Sequence, residues 1–185
     1  DHLIVAGAMA NTFLYALGNS VGRSICEASM ANVALDVMEN AKLLDCKIHL
    51  PLDAVLAKKL EDDSKTIVAK KDSIPSDLMI LDIGPDTVSS IIRLLNNSRT
   101  LLWNGPLGAF EFKPFDEGTN RIAQAAADLT TQHRLATIAG GGDTMAALKN
   151  AQVSHSFSYI SSAGGAFLEW LEGKKLPGIT PLLNK

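Results

Sequence analysis

Residues 138–144 read Ile-Ala-Gly-Gly-Gly-Asp-Thr, and they restrict the chain more than any other stretch. An apolar run over residues 135–139 leads in, and an Ala-rich helical pattern over 145–150 leads out. Consecutive glycines offer no side chain to a core. They admit positive φ and let another group approach bare backbone. Asp143 and Thr144 fall where a helix begins, among N–H groups that lack intrahelical partners and carry partial positive charge. Strand, glycine turn and helix N-terminus together suit the holding of an anion such as phosphate.

Glycine turns also join strands to helices for steric reasons alone, so the repetition of the pattern matters. Ser161-Ser162-Ala163-Gly164-Gly165-Ala166 follows the apolar run 157–160. Ala6-Gly7-Ala8 follows Leu3-Ile4-Val5, and Asn104-Gly105-Pro106-Leu107-Gly108 follows Leu101-Leu102-Trp103. Small-residue turns at successive strand ends point to one shared crevice, because open α/β sheets bind ligands beyond the carboxyl ends of their strands.

In chain order the pattern predicts strands over 3–6, 47–50, 78–83, 100–103, 135–139 and 157–160. It predicts helices over 9–17, 117–132, 145–150 and 166–172, with another after Gly84-Pro85 whose stripe is Val88, Ile91, Ile92 and Leu95. The strand over 3–6 is expected to be buried. Ser24 and Glu27 have capping-box spacing and are expected to open a long helix with Met30, Val33, Ala34, Val37, Ala41 and Leu44 on its inner face. Residues 53–60 read as a short helix or turn. Residues 65–70 read as a β segment in an excursion off the main layer. Strands alternating with helices predict an α/β fold, a Rossmann-like parallel sheet with helices on both faces.

The length of 185 residues suits one domain, or one and part of another. A net charge of −3 gives no reason to expect nucleic acid or an acidic membrane as partner. No run of about 18 apolar residues is present, so no membrane span is expected. Cys26 and Cys46 form no C-x-x-C, suit a reducing cytoplasm, and with the scattered His2, His49, His133 and His155 give no metal-ligand spacing. Each histidine reads as a surface or loop residue. The start, Asp1-His2-Leu3-Ile4-Val5, reads as the middle of a strand, so the chain is expected to come from something larger.

Neither G-x-G-x-x-G nor G-x-x-x-x-G-K-[ST] occurs, and no Ser sits in G-x-S-x-G. What remains is a set of backbone-rich turns with one carboxylate, Asp143, and no lysine in any of them. Phosphoryl transfer depends on Mg²⁺, cations and positioned N–H groups. The turns are suited to cradling phosphate but are short of positive charge.

The motifs occur in a recognisable order: Trp103-Asn104-Gly105-Pro106-Leu107-Gly108-Ala109-Phe110-Glu111, then Gly140-Gly141-Gly142-Asp143-Thr144, then Ser161-Ser162-Ala163-Gly164-Gly165-Ala166-Phe167-Leu168-Glu169. Leu171-Glu172-Gly173-Lys174-Lys175-Leu176-Pro177-Gly178 follows. Ala8-Met9-Ala10-Asn11-Thr12-Phe13, Leu50-Pro51-Leu52-Asp53 and Leu81-Asp82-Ile83-Gly84-Pro85 complete the set. Over essentially its whole length the sequence resembles the C-terminal, nucleotide-binding half of phosphoglycerate kinase. The resemblance implies reversible phosphoryl transfer between 1,3-bisphosphoglycerate and MgADP, giving 3-phosphoglycerate and MgATP in glycolysis, by a cytoplasmic monomer.

By the same resemblance, Asp143 meets the Mg²⁺ of the Mg-nucleotide, and Gly141, Gly142 and Thr144 hold phosphates through backbone N–H. Glu111 accepts from the ribose hydroxyls. Gly7, Leu60, Leu81, Asn104 and Pro106 line the adenine slot, and Ile80 falls where many relatives carry a glycine against the base. Gly164 and Gly165 open the helix that faces the phosphoryl group in flight. Asp143 also reads as a plain N-cap, Glu111 as a solvated loop carboxylate, and Trp103, Leu60 and Leu81 as core.

The resemblance places residues 1–185 in the C-terminal domain, without its first βα unit and without the N-terminal domain that binds the phosphoglycerate and supplies an arginine. Arg23 and Lys113 do not match the missing phosphate-binding lysines. Residues 174–185 are expected to form a tail toward the other domain, mobile or packed on a neighbouring molecule. Loss of a βα unit is expected to leave a strand edge or apolar face uncovered. The chain alone is expected to bind nucleotide weakly and to lack kinase activity. Two other readings stay open: a self-standing nucleotide-binding or interaction module, and a dinucleotide oxidoreductase, against which the absent fingerprint speaks.

Overall fold

The computed structural model describes residues 1–161, 163, 165–178 and 180. It divides into two compact units, one of Asp1–Arg93 with Pro106–Ile122, the other of Leu94–Gly105 with Ala123–Lys185.

The first unit opens with strand β1 (His2–Ile4), helix α1 (Gly7–Ala16), helix α2 (Ala31–Leu43) and strand β2 (Lys47–His49). β1 and β2 pair in parallel. Val5, Ala10, Phe13 and Ala34 form the core beneath the helices, with Met38, Ile48 and Leu50 packed against it. β3 (Asp53–Ala57), β4 (Ile67–Lys70) and β5 (Met79–Ile83) form a second, antiparallel sheet with β3 in the middle. α3 (Pro85–Asn96) follows directly.

The second unit is the alternating part: β6 (Thr100–Asn104), the portion of α4 (Glu117–Thr131) after Ile122, β7 (Ala136–Gly140), α5 (Gly142–Asn150), β8 (Tyr159–Ser161) and α6 (Gly165–Leu171). Its sheet is parallel, in the order β6-β7-β8. Parallel neighbours need crossovers, and the helices between them supply these. At the centre of the sheet Thr137 is fully buried, and its hydroxyl meets Thr130 Oγ1 at 3.1 Å and accepts the Ser158 N–H at 3.0 Å. A polar side chain survives in this core because its hydrogen bonds are made.

The α/β class and the parallel sheets flanked by helices agree with the sequence, as does a β segment near residues 65–70. Several details differ. Residues 53–57 are a strand, not a helix or turn. Their Ala-Val-Leu-Ala pattern fits either state locally, and pairing on both sides decides it. β1 is not buried: Leu3 is 45% exposed. Ser24 and Glu27 make no capping box. The Ser24 hydroxyl donates to the Val21 carbonyl and accepts the Ile80 N–H, while the Glu27 N–H goes to Thr12 Oγ1. Residues 24–27 are thereby tied to α1 and β5, and α2 starts only at Ala31. Of the inner face expected for α2, only Ala34 is buried, and Met30, Val33, Val37 and Leu44 are exposed. An uncovered apolar face is therefore present on this unit. Of the expected tail, residues 179 and 181–185 lie outside the described residues.

The scattered histidines are not all isolated. His2 Nδ1 and His49 Nε2 lie 2.9 Å apart across β1 and β2. Burial, then His2, then Lys47 lower the pKa of His49.

Two buried aspartates organise the first unit. Asp53, 2% exposed, receives the first N–H groups of α3: Asp86 N–H to Oδ2 at 3.0 Å and Thr87 N–H to Oδ1 at 2.9 Å. The Thr87 hydroxyl donates to the same carboxylate at 2.7 Å. A strand residue thus caps a helix distant in sequence. Lys70 pairs with Asp86 on the surface beside this cap. Gly84 stands against the Asp53 carboxyl so closely that an added Cβ would overlap it.

Asp53→Ala is expected to lower stability by about 3 kcal/mol, because it strands the α3 donors and the Thr87 hydroxyl. Gly84→Ala is expected to lose about 1–3 kcal/mol through overpacking, with Asp53 intact. Urea unfolding of both variants checks this, and a loss under about 0.5 kcal/mol in each would show that the cap does not hold α3.

Candidate functional site

In the second unit the carboxyl ends of the three parallel strands lie in one row: Asn104 pairs with Gly140, and Gly140 with Ser161. Every strand then leaves through small residues. After β7, Gly141 has φ 98°, a left-handed conformation that favours glycine. A Cβ there would lie 2.9 Å from Asn104 Oδ1 and 3.3 Å from Thr144 Oγ1. Gly141 is therefore set by both conformation and space, and it brings the Asn104 side chain to the start of α5.

α5 begins at Gly142, and no side chain caps it. The Met145 N–H already reaches the Gly141 carbonyl at 3.0 Å. The N–H groups of Gly142, Asp143 and Thr144 have no hydrogen-bond partner among the described residues, as expected for the first turn of a helix. The Thr144 side chain is buried, and its hydroxyl accepts the Gly105 N–H at 2.7 Å. That bond fixes the turn after β6 to the helix start.

The Asp143 side chain is exposed and has no hydrogen bond or ion pair among the described residues. It does not act as the N-cap, because α5 has no side-chain cap bond. A hard carboxylate oxygen beside unpaired N–H groups fits Mg²⁺ carried by a phosphate chain, since Mg²⁺ takes one or two carboxylates plus phosphate oxygens and water. Among the described residues no group of three or more His, Cys, Asp or Glu is placed to hold a metal.

Trp103 is core, as its apolar surroundings suggest: its ring packs on Phe157 with centroids 6.2 Å apart, and Nε1 donates to the Gly105 carbonyl at 2.6 Å. At the third turn the Ala163 N–H reaches Ser161 Oγ at 3.2 Å. Gly165 opens α6 with open space where a Cβ would be. Gly164 lies outside the described residues.

The first unit holds the remaining residues singled out in the sequence. Gly7 opens α1 at φ 61°, and a Cβ on it would be 4.0 Å from the Pro106 carbonyl, so Gly7 and Pro106 are neighbours. Ile80 and Leu81 lie on β5, half-buried. The Leu81 carbonyl accepts the Ala109 N–H at 2.8 Å, which draws the turn after Pro106 onto β5. Leu60 is 44% exposed in the loop between β3 and β4, so it is not the core residue its type allows. That loop is tied to the one bearing Glu111: the Lys113 N–H goes to Asp62 Oδ1 at 2.9 Å, and the Asp63 N–H to the Lys113 carbonyl at 3.0 Å. Glu111 itself is exposed.

Sequence reasoning missed the acid beneath this turn. Asp82 is 2% exposed, and burial pushes its carboxyl up to about 7, with Asp116 and Glu117 adding to the rise and N–H bonds from Gly118 and Ile83 opposing it. The signal was available: an aspartate inside the apolar run Leu81-Asp82-Ile83 is either a strand breaker or a buried charge with a task.

The family profile described as phosphoglycerate kinase matches residues 1–174. The chain is 50% identical over 182 residues to the phosphoglycerate kinase of Cereibacter sphaeroides, covering 98% of this chain and 46% of that protein. Against that of Dinoroseobacter shibae it is 53% identical over 182 residues, with the same coverage of 98% and 46%. The solved structure of phosphoglycerate kinase from Coxiella burnetii matches at a TM-score of 0.91 and 43% identity, over 97% of this chain and 46% of that one. That of phosphoglycerate kinase from Pyrococcus horikoshii OT3, at 24% identity and a TM-score of 0.80, shares the fold over 99% of this chain and 45% of that one. The chain spans about half the length of the curated relatives it matches. With its profile match running through nearly all of its length, the chain belongs to the phosphoglycerate kinase family.

Proposed function

We propose that the chain is the nucleotide-binding half of a phosphoglycerate kinase, a cytoplasmic glycolytic enzyme that moves a phosphoryl group between 1,3-bisphosphoglycerate and MgADP, giving 3-phosphoglycerate and MgATP. The observation that carries this reading is the N-terminus of α5. A left-handed Gly141, together with N–H groups on Gly142, Asp143 and Thr144 and an Asp143 carboxylate that have no partner among the described residues, sits at the carboxyl end of a parallel sheet.

In this reading those N–H groups bind the phosphate oxygens, and the helix dipole favours their negative charge. Asp143 holds the Mg²⁺, which when bound neutralises phosphate charge. Thr144 ties the turn after β6 to the helix start through the Gly105 N–H, and Asn104 Oδ1 lies beside Gly141. By the family resemblance, Gly7, Leu60, Ile80, Leu81, Asn104 and Pro106 are assigned to the base, and Glu111 accepts from the ribose hydroxyls. Gly164 and Gly165 supply N–H groups to the phosphoryl group in transfer. The turns carry no lysine or arginine. Transfer requires charge stabilisation beyond what helix termini provide. Phosphoglycerate, and the cations that complete the reaction, are assigned to the part of the relatives' length that this chain does not span.

Calorimetric titration tests the reading. MgADP is expected to bind the full 185-residue chain, and Asp143→Asn to weaken it about tenfold. Chelating the metal is expected to erase the difference between the two, since the lost ligand then has nothing to hold. Gly141→Ala is expected to weaken binding further, because it strains the turn. NAD is expected not to bind. A folded chain that ignores MgADP, or an Asp143→Asn variant that binds it as well as the parent, would overturn the assignment. A coupled assay is expected to show no turnover by the chain alone, and measurable turnover would refute the claim that the turns lack sufficient positive charge.

A further inference from the structure

We propose that Asp82 is a positioning residue for the nucleotide: its carboxyl, enclosed by Gly108 and Gly118, is a proton-operated latch on the segment that carries Pro106 and Glu111. The role assigned to that segment rests on the nucleotide reading above.

The geometry is a three-point grip. Asp82 Oδ2 accepts the Gly118 N–H at 2.7 Å, at the start of α4. Leu81, its neighbour on β5, accepts the Ala109 N–H at 2.8 Å through its carbonyl. Thr119 Oγ1, fully buried, accepts the Leu107 N–H at 3.0 Å. Gly108 and Gly118 lie against the carboxyl itself, and a Cβ on either would overlap it. Residues 107–109 therefore close over Asp82, and they cannot lift without admitting water to it.

The charged groups around the carboxyl are acids. Asp116 and Glu117 face it from the start of α4, and β3 sets the neutral Val55 opposite it. Among the described residues no Lys or Arg pairs with it. Its remaining partner is the Ile83 N–H at 2.8 Å. A desolvated carboxylate beside like charges prefers to be protonated, and burial holds this one at about 7.

The direction follows by linkage. In the closed state the carboxyl keeps its proton up to a pH of about 7. In an opened, hydrated state it gives the proton up near the ordinary value of about 4. The closed state binds the proton more tightly, so closure is fully favoured below that ordinary value and is lost as pH rises through the closed-state value. Between the two, each pH unit favours opening by up to about tenfold. Asp82 thus ties the placement of Pro106 and Glu111 to proton concentration without touching the nucleotide.

Hydrogen exchange of the Leu107, Ala109 and Gly118 amides, followed by NMR on the full chain from pH 5 to 8 and corrected for intrinsic rates, tests this. Opening is expected to rise by up to about tenfold per unit and level off near neutrality, while the β7 amides of Thr137 and Ala139 do not follow. Asp82→Asn is expected to flatten the profile. Glu117→Gln, an exposed change that leaves the core intact, is expected to move the midpoint to lower pH, and it decides alone if the first variant does not fold. A flat parent profile, an unchanged slope in Asp82→Asn, or an unmoved midpoint in Glu117→Gln overturns the latch. MgADP affinity is measured over the same range. A fall in step with opening supports the positioning role, and affinity independent of pH overturns it. If MgADP does not bind at any pH but exchange behaves as stated, the latch stands and the nucleotide reading fails.

Discussion

A carboxylate taken out of water must be met by donors, and in this protein the donors are the first N–H groups of helices. Asp53 meets α3 and Asp82 meets α4. Each aspartate lies on a strand of the antiparallel sheet, and each helix starts where that strand's acid can reach it. Both helix starts thus receive a carboxyl from a strand and not only from their own flanking sequence. Helices and strands of the first unit are held at fixed ends instead, and the segments that begin at those ends inherit the positions.

The second unit solves a different problem by leaving donors unmet. α5 begins on a glycine with no cap, and its open N–H groups stay beside an unpaired acid. The starts of α3 and α4 are filled by buried acids, whereas that of α5 has no side-chain cap. Thr144 ties the open end to the neighbouring turn, its hydroxyl accepting the Gly105 N–H.

The alternation of apolar runs, glycine turns and helical stripes made the parallel part of the fold legible, because spacing and glycine chemistry are local. β6, β7 and α5 overlap the expected 100–103, 135–139 and 145–150, their ends differing by at most three residues. The Asp143 turn was legible for the same reason. What was not legible depended on partners distant in sequence. Residues 53–57 have a helix-compatible composition and become a strand only because β4 and β5 flank them. Ser24 resembles a cap but is drawn to Ile80. The partner of Asp82 was not legible because its donor, Gly118, is contributed by another element. The helical stripe of α2 was legible as a pattern but not as burial, since the pattern says which side chains share a face and not what covers them.

The contact between glycines and buried acids has a consequence for how this sequence can drift. Gly84 is tied to Asp53, and Gly108 and Gly118 to Asp82, because each glycine leaves the volume that the carboxyl fills. Substitution at one member alone either drives a methyl group into a carboxyl or empties the space that a helix start leans on. A shorter polar side chain opposite a new alanine is a joint change, and neither step toward it is neutral on its own. These positions should therefore exchange as pairs across lineages. Their coupling would be visible as correlated replacement and not as tolerance at either site.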